Sequence, residues 1–240
     1  MQVVQAPAKL TVSLRVTGVR ADGYHMIDAE MVTLDLADTL EFDPSGEGIE
    51  LVYAGPAAAN PGLAVSTGPD NLVARALELV GRRARVRITK RIPAGAGLGG
   101  GSADAAAVLR WAGCDDLDLA ARLGADVPFC LLGGRARVGG IGDVVQPLSP
   151  VRRSFTLVLP PLSCPTIDVY RAWDRLGGPT GPGSNDLEGA AVEVVPELAA
   201  WRDVLADATK TRPQLAGSGS TWFVDGAFPG PGRVVVTTTS

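Results

Sequence analysis

The stretch IPAGAGLGGGSADAAA, residues 92–107, places five glycines within seven positions and continues directly into an alanine-rich segment. Glycine tolerates positive φ and allows close approach of the backbone, so such a loop can direct several N–H groups at one ligand. The alanine-rich segment predicts a helix, whose free N-terminal N–H groups attract anions. A strand–loop–helix unit that binds phosphate is therefore the first expectation.

Two well-known phosphate-binding motifs fit this loop poorly. Gly95, Gly97 and Gly100 match the spacing of the dinucleotide fingerprint. However, the preceding segment ARVRITKRI (84–92) alternates apolar residues with Arg and Lys, which predicts one solvated face rather than a central parallel strand. A Walker A loop fails because no Lys-Ser/Thr pair follows the glycines. An NAD-dependent dehydrogenase is therefore a distant alternative, and a flexible loop with Ser102 as a plain N-cap is the alternative without a ligand.

The composition narrows the class of protein. Of 240 residues, 46% are hydrophobic and 20% charged, as in ordinary globular proteins, and a net charge of −4 gives no basic footprint for nucleic acid. Cys114, Cys130 and Cys164 lack metal-ligand spacing and are expected to be reduced thiols of a cytoplasmic protein. With no secretory h-region and no run of about 18 apolar residues, neither secretion nor membrane spanning is expected.

The pattern along the chain predicts an α+β protein with a domain boundary near residue 149. Strands are expected at 10–16, 26–36, 39–43, 48–55, 86–92, 155–159, 234–238, in a hairpin over 135–148 and on both sides of 216–220. Helices are expected after Asn71, at 102–112, 117–123, 167–176 and up to about 206. Because each half runs from antiparallel strands to helices, a doubly wound sheet is disfavoured and domains 1–149 and 150–240 are predicted.

Several segments together resemble the GHMP kinases, the superfamily of galactokinase, homoserine kinase, mevalonate kinase and phosphomevalonate kinase. PAGAGLGGGSADAAA (93–107) is similar to its ATP-binding motif, PAKLTVSL (7–14) to its lysine-bearing first strand, and LAGSGSTWF (215–223) to its C-terminal glycine turn. ADGYH (21–25) and LGADVPF (123–129) resemble one branch, whose acceptor alcohol carries a cytidine diphosphate group. The matches run in order from residue 6 to about 223, so the resemblance covers nearly the whole chain.

The resemblance implies a fold and an activity. The fold is the two-domain GHMP kinase fold, with an N-terminal domain similar to ribosomal protein S5 domain 2 and a ferredoxin-like C-terminal domain. The activity is phosphorylation by ATP and Mg²⁺ of the 2-hydroxyl of a small acceptor bearing cytidine diphosphate, in the non-mevalonate route to isoprenoids. The implied protein is cytoplasmic, a monomer or homodimer, without nucleic-acid or membrane partners. Alternatives are a GHMP kinase for homoserine or mevalonate and a catalytically idle nucleotide-binding module.

The resemblance also implies a catalytic pair. Asp126 would accept the proton of the acceptor hydroxyl, and Lys9 would orient both groups and offset developing charge. Thr11 stands where the family usually has Asn, on the same strand face as Lys9, and would contact the substrate. The non-catalytic alternatives are an exposed strand lysine at position 9 and an N-cap at Asp126, ahead of Val127 and Pro128.

Further site residues are carried over from the same motifs. ATP binding is implied for Pro93, Ala94, Gly95, Ala96, Gly97, Leu98, Gly99, Gly100, Gly101, Ser102 and Ala103, and Mg²⁺ binding for Ser102. Acceptor binding is implied for Tyr24, His25, Tyr170, Gly217, Ser218 and Gly219, with the tyrosines stacking on the base. As an alternative, Tyr170 packs in the core with Val169 and Trp173. SNDLE (184–188) resembles a family segment and equally fits a capping box between Asn185 and Glu188.

Overall fold

Two β-sheets form the framework of the protein. The computed structural model describes residues 1–59, 64–181 and 183–239, and the following elements are those of the described residues. The first sheet contains β1 (Gln2–Val19), β2 (His25–Asp43), β3 (Gly48–Tyr53), β4 (Arg85–Lys90), β5 (Arg135–Gly139) and β6 (Val144–Pro147). The second contains β7 (Ser154–Val158), β8 (Gln214–Leu215), β9 (Trp222–Asp225) and β10 (Val234–Thr237).

Helices cover the sheets and connect their strands. In the first half they are α1 (Gly55–Ala58), α2 (Leu72–Leu79), α3 (Gly100–Ala112), α4 (Leu117–Ala121) and α5 (Val127–Leu132). In the second half they are α6 (Thr166–Arg175), α7 (Glu188–Val194) and α8 (Leu198–Thr209). The loop predicted at 55–69 begins with α1, and its residues 60–63 lie outside the described residues. In the described part of the chain, no helix is both long and apolar enough to cross a bilayer.

Strand β2 organises the first sheet. It pairs with β1 along one edge, and on the other edge with β4 through residues 39–43 and with β5 through residues 29–32. The sequence predicts two strands, at 26–36 and 39–43, but continuous pairing with β1 makes them one. The one parallel pair described is β3 with β4, which α2 and its flanking loops connect. The remaining pairs of both sheets are antiparallel, so the expected α+β class is confirmed.

The two sheets share a hydrophobic core. The first sheet ends at Pro147 and the second begins at Ser154. Across this linker, Val32 of β2 belongs to the same buried cluster as Phe155 and Phe223 of the second sheet. The division into domains 1–149 and 150–240 stays a prediction, and the shared core means that the two halves stabilise each other.

Helix α3 carries the glycine loop at its N-terminus. Gly99, at φ 68°, is its N-cap, and Gly113, at φ 74°, ends it in the left-handed conformation that favours glycine. Small side chains such as Ala106 are fully buried and let α3 approach β1 closely. The alternative that Ser102 caps this helix is wrong, because Ser102 is its third residue, and its hydroxyl is available for another role.

Candidate active site

Lys9 and Asp126 form an ion pair at the edge of β1. The Lys9 Nζ lies 3.3 Å from Oδ2 of Asp126 and donates a hydrogen bond of 3.1 Å to Oγ1 of Thr11. The lysine side chain is 7% exposed and the aspartate 32%, so the carboxylate is the part of the pair that a substrate can reach. Asp126 holds the N-cap position of α5 without capping it, since its side chain turns to Lys9 instead. The non-catalytic alternatives for Lys9 and Asp126 therefore do not describe the structure.

The glycine loop lies directly against Lys9. Leu98 accepts a hydrogen bond of 3.0 Å from the Lys9 backbone N–H, and Gly99 packs on the lysine stem. A Cβ on Gly99 would lie 2.8 Å from Cγ of Lys9, at a φ of +68° that strains any L side chain. Only glycine therefore lets this loop and the Lys9 strand come together. This contact links the predicted nucleotide loop to the predicted catalytic pair.

A cavity of about 360 Å³ opens at the glycine loop. Residues 93–102 line it, together with Val65, Asn71, Leu72, Lys90, Ile92 and Asp104. Its backbone-rich wall and the N-terminus of α3 suit an anionic, phosphate-bearing ligand. Ala103 differs from the other predicted ATP-binding residues, because it is fully buried in the core and does not line the cavity.

The donor set suits a metal ion that arrives with phosphates. Within the described residues, no group of three or more His, Cys, Asp or Glu side chains is arranged to hold a metal. Ser102 offers a hydroxyl on the cavity wall. Mg²⁺ commonly keeps several waters and binds through one or two protein groups plus substrate phosphates. Ser102 fits that kind of partial site.

The C-terminal glycine turn, residues 216–220, packs against the glycine loop. A Cβ on Gly97 would lie 2.4 Å from the carbonyl oxygen of Gly219, so the two backbones touch at this point. Thr221, just after the turn, donates hydrogen bonds from its N–H and Oγ1 to the carbonyl of Ala96, at 3.2 and 2.7 Å. A Cβ on Gly217 would lie 3.8 Å from Nζ of Lys9. The turn thus borders both the loop and the Lys9–Asp126 pair.

An aromatic cluster joins the start of β2 to α6. The rings of His25 and Tyr170 are 4.6 Å apart, the edge of Trp173 lies near His25, and Nε2 of His25 is 2.9 Å from Oδ1 of Asp174. Tyr24 is 58% exposed beside this cluster. Burial, and then the charge of Asp126, raises the pKa of Tyr170 to about 12, so its hydroxyl stays protonated. The charge of Asp126 thus contributes to the environment of the Tyr170 hydroxyl.

Tyr170 meets neither of its two predicted descriptions fully. It is partly buried against the main core, as the packing alternative requires, yet it also presents a ring face to His25. The stacking partner that the structure describes for Tyr170 is His25 and not Tyr24. Whether Tyr24, His25 and Tyr170 bind an acceptor stays a prediction.

Lys90 is a functional-looking residue that the sequence reasoning missed. The alternation of residues 84–92 predicts a solvated face that includes Lys90, but Lys90 is 3% exposed. Its Nζ donates hydrogen bonds to Asp38 and, at 2.7 Å, to Asp104. The strand pattern held the signal, because Lys90 is in phase with the buried Val86 and Ile88. The charge of this lysine is neutralised inside the protein, behind the glycine loop.

Asn185 also has a role that its sequence pattern does not give. Its Oδ1 accepts a hydrogen bond of 2.9 Å from the N–H of Leu187, and its Nδ2 donates to the carbonyls of Leu215 and Gly217 at 2.8 and 2.7 Å. A capping box would require Asn185 to cap the helix that follows, but the N-cap of α7 is Leu187, without a side-chain cap. The capping-box alternative is therefore wrong.

Comparisons with known proteins agree with this geometry. Residues 71–134, which contain the glycine loop and Asp126, match the family described as GHMP kinases N terminal domain. A protein of Paracoccus denitrificans named 4-diphosphocytidyl-2-C-methyl-D-erythritol kinase is 39% identical, over 91% of this chain and 84% of its own. The kinase of the same name from Anaeromyxobacter dehalogenans is also 39% identical, over 96% of this chain and 82% of its own.

Solved structures give the same assignment. A crystal structure of 4-(cytidine 5'-diphospho)-2C-methyl-D-erythritol kinase superposes with a TM-score of 0.76 at 33% identity, covering 100% of both chains. A mevalonate kinase superposes at 0.56 with 13% identity, over 94% of this chain and 91% of its own, which supports the fold alone. The implied GHMP kinase fold is thereby confirmed. From the glycine loop, the Lys9–Asp126 pair and these similarities, the chain belongs to the 4-diphosphocytidyl-2-C-methyl-D-erythritol kinase family of GHMP kinases.

Proposed function

We propose that the protein transfers the γ-phosphoryl group of ATP to the 2-hydroxyl of 4-diphosphocytidyl-2-C-methyl-D-erythritol, a step in isoprenoid precursor synthesis. Family membership makes it a kinase. The observation that carries the proposal is the position of the Lys9–Asp126 pair, directly beside the glycine loop and the C-terminal glycine turn. In this proposal the glycine loop serves ATP and the neighbouring paired carboxylate serves the acceptor.

In the proposed reaction Asp126 accepts the proton of the acceptor hydroxyl and Lys9 offsets the negative charge on the transferring group. The acceptor oxygen forms a bond to the γ-phosphorus as the bond from that phosphorus to the bridging β,γ-oxygen breaks, so ADP leaves. The proton of the hydroxyl passes to the carboxylate of Asp126, the more exposed member of the pair. Lys9 holds that carboxylate and offsets negative charge on the transferring group, which is the larger contribution in phosphoryl transfer.

ATP is proposed to bind with its phosphates on the N–H groups of the loop and of the first turn of α3. Positive φ at Gly95, Gly97 and Gly99 lets the backbone adopt this shape. Mg²⁺ on the phosphates would lower the repulsion around the γ-phosphoryl group, with Ser102 as its ligand from the chain. Lys9 lies against the same loop and adds a positive charge that does not depend on Mg²⁺.

The cytosine base is proposed to lie at the aromatic cluster. Tyr24 and Tyr170 offer stacking faces and His25 a polar edge, which suits a flat and modestly polar ring. Because His25 now rests on Tyr170, its ring has to shift to admit the base. The contribution of the Asp126 charge to the raised pKa of Tyr170 supports a base site close to the proposed reaction centre.

The test is ADP release by the purified protein with three acceptors in turn: 4-diphosphocytidyl-2-C-methyl-D-erythritol, homoserine and mevalonate. Turnover is expected with the first alone. ADP release with homoserine or mevalonate and not with the cytidylated acceptor would overturn the proposal. Mevalonate and homoserine kinases share the fold at 13–18% identity, so fold alone does not exclude those substrates.

The base site has its own test in the three tyrosines of the chain. Base–aromatic stacking is worth about 1–3 kcal/mol, so Tyr24→Ala and Tyr170→Ala should each weaken acceptor binding roughly 5- to 150-fold and leave ATP binding unchanged. Tyr53→Ala on β3 is the matched control, since that tyrosine is also exposed and its hydroxyl accepts a hydrogen bond from Val65. If Tyr24→Ala and Tyr170→Ala instead lose ATP binding and bind the acceptor normally, the proposed site of the base is wrong.

A further inference from the structure

A short segment, residues 183–187, bridges β1 and the C-terminal glycine turn. On one side it adds to the edge of β1: the Leu14 N–H donates to the Ser184 carbonyl at 2.7 Å, and the Asp186 N–H donates to the Leu14 carbonyl at 3.0 Å. On the other side Asn185 reaches the glycine turn. The strand that carries Lys9 and the turn beside Lys9 are therefore held by the same five residues.

Asn185 makes this connection with its whole side-chain amide. It is 2% exposed, and its two N–H groups go to the carbonyls of Leu215 and Gly217 while its oxygen accepts from Leu187. Only a primary amide supplies two donors and an acceptor in one fixed plane. Asp matches its shape but lacks the donors, and Ser lacks the reach.

The carbonyl of Gly217 decides where the next N–H points. A trans peptide is planar, with its C=O and N–H on opposite sides, so a Gly217 carbonyl bound to Asn185 aims the Ser218 N–H away from the bridging segment. The Leu215–Ala216 peptide, two positions earlier, follows the same rule, since Leu215 C=O faces Asn185 and Ala216 N–H donates to the Thr221 carbonyl at 2.9 Å. Ser218 is the member of the turn that is not fully buried.

Ser218 lies on the acceptor side of the cleft. Its Oγ is 2.9 Å from Oγ1 of Thr166, the first residue of α6, and α6 also carries Tyr170. Gly217 approaches Thr11 and Lys9, whereas Gly219 and Thr221 contact the ATP loop. The turn is thus divided between the two substrates, and the part fixed by Asn185 faces the acceptor.

We infer that Asn185 is a positioning residue for the acceptor: its amide fixes the glycine turn so that the Ser218 N–H donates to a diphosphate oxygen of the acceptor beside Lys9. The inference rests on the proposed function, because it presupposes an anionic acceptor. Backbone N–H groups in a glycine-rich turn are suited to such an oxygen, and hydrogen bonds to a charged group are the stronger kind. Asn185 itself touches no substrate.

The test compares Asn185→Asp and Asn185→Ala with Ser184→Ala, a neighbour in the bridging segment whose hydroxyl contacts the Val12 carbonyl and Oε1 of Gln214 but neither of the carbonyls that Asn185 binds. Losing one charge-assisted hydrogen bond should raise the acceptor KM roughly 10- to 100-fold in both Asn185 variants. The KM for ATP should stay unchanged, and Ser184→Ala should match the native protein. A merely structural role would lower the active fraction and the thermal midpoint without this difference between the two KM values.

The native protein supplies a measurement that does not depend on how the variants fold. In ¹⁵N-labelled protein, titration with the acceptor should shift the Ser218 amide resonance and slow its hydrogen exchange. An unperturbed Ser218 amide, or an Asn185 variant that folds and keeps the native acceptor KM, would overturn the inference. Failure of the proposed function is distinguishable, because the native protein would then release no ADP with this acceptor.

Discussion

Two buried lysines in this protein have similar surroundings and different consequences. The side chains of Lys9 and Lys90 are 7% and 3% exposed, and each pairs with carboxylate. Lys9 has one partner, Asp126, which remains 32% exposed at the cleft. Lys90 has two, Asp38 and Asp104, which are nearly or fully enclosed. Burial and pairing alone therefore do not mark a catalytic lysine; what distinguishes Lys9 is a partner that a substrate can reach.

The enclosed cluster consists of Lys90, Asp38 and Asp104, and its two carboxyl groups are not equally well stabilised. Asp38 is well satisfied, because its Oδ1 also accepts from the backbone N–H of Ile92 at 2.8 Å. Asp104 is not, because its Oδ1 is buried and has no hydrogen-bond partner within the described residues. Burial, and secondarily the charge of Asp38, raises the pKa of Asp104 to about 7, although Lys90 opposes the shift. One lysine thus balances two buried carboxyl groups.

The largest expected effect is on stability, from Lys90→Met. Removing the shared cation leaves two carboxyl groups buried without it, and breaking a buried pair in this way costs about 3–5 kcal/mol. Thermal and urea unfolding should show the loss as lower midpoints. The triple variant Asp38→Asn, Lys90→Met, Asp104→Asn should recover most of the stability. An unchanged midpoint in Lys90→Met would remove the structural role assigned here.

The second effect is a loss of catalysis when the Lys9–Asp126 pair, whose carboxylate is partly exposed, is substituted. Asp126→Asn and Lys9→Met should each lower kcat at least about 100-fold, or about 2.7 kcal/mol, because proton-transfer and electrostatic contributions are typically that large. Asp126→Asn should fold normally because this side chain is partly exposed. Lys9→Met keeps the buried stem that packs on Gly99. A native kcat in a folded variant at either position would show that the Lys9–Asp126 pair is structural, as the Lys90 cluster is.

A third effect is a pH dependence of stability that belongs to the enclosed cluster. A carboxyl group whose pKa is higher in the folded state binds its proton more tightly there, so its contribution to stability falls as pH rises from about 4 to about 7. Asp104→Asn should remove this contribution. The difference in free energy of unfolding, native minus variant, should therefore decrease across that range in urea titrations. A flat difference would show that Lys90 fully compensates both carboxyl groups.

The sequence predicted the local elements of the site better than their surroundings. The glycine spacing at 95–101 and the alanine-rich run behind it indicated a loop and helix that the structure contains. The solvated face predicted from the charged residues of this strand is wrong for Lys90, whose phase with Val86 and Ile88 puts it inside. Burying it requires Asp38 and Asp104, which lie 52 and 14 residues away in the sequence.

What the sequence determined by itself is the class of fold and the glycine loop with its helix, and its resemblance to GHMP kinases predicted Lys9 and Asp126 as the catalytic pair. These follow from residues close together in the chain: glycines that permit a tight backbone, a helix that follows them, and motifs read as units. What only the tertiary structure decided is which ion pairs are accessible to solvent and which are enclosed. It also decided that Asn185 binds the carbonyls of Leu215 and Gly217 and so holds the C-terminal glycine turn. Accessibility and hydrogen-bond pairing across 30 or more residues depend on how the sheets pack, and no local pattern specifies that.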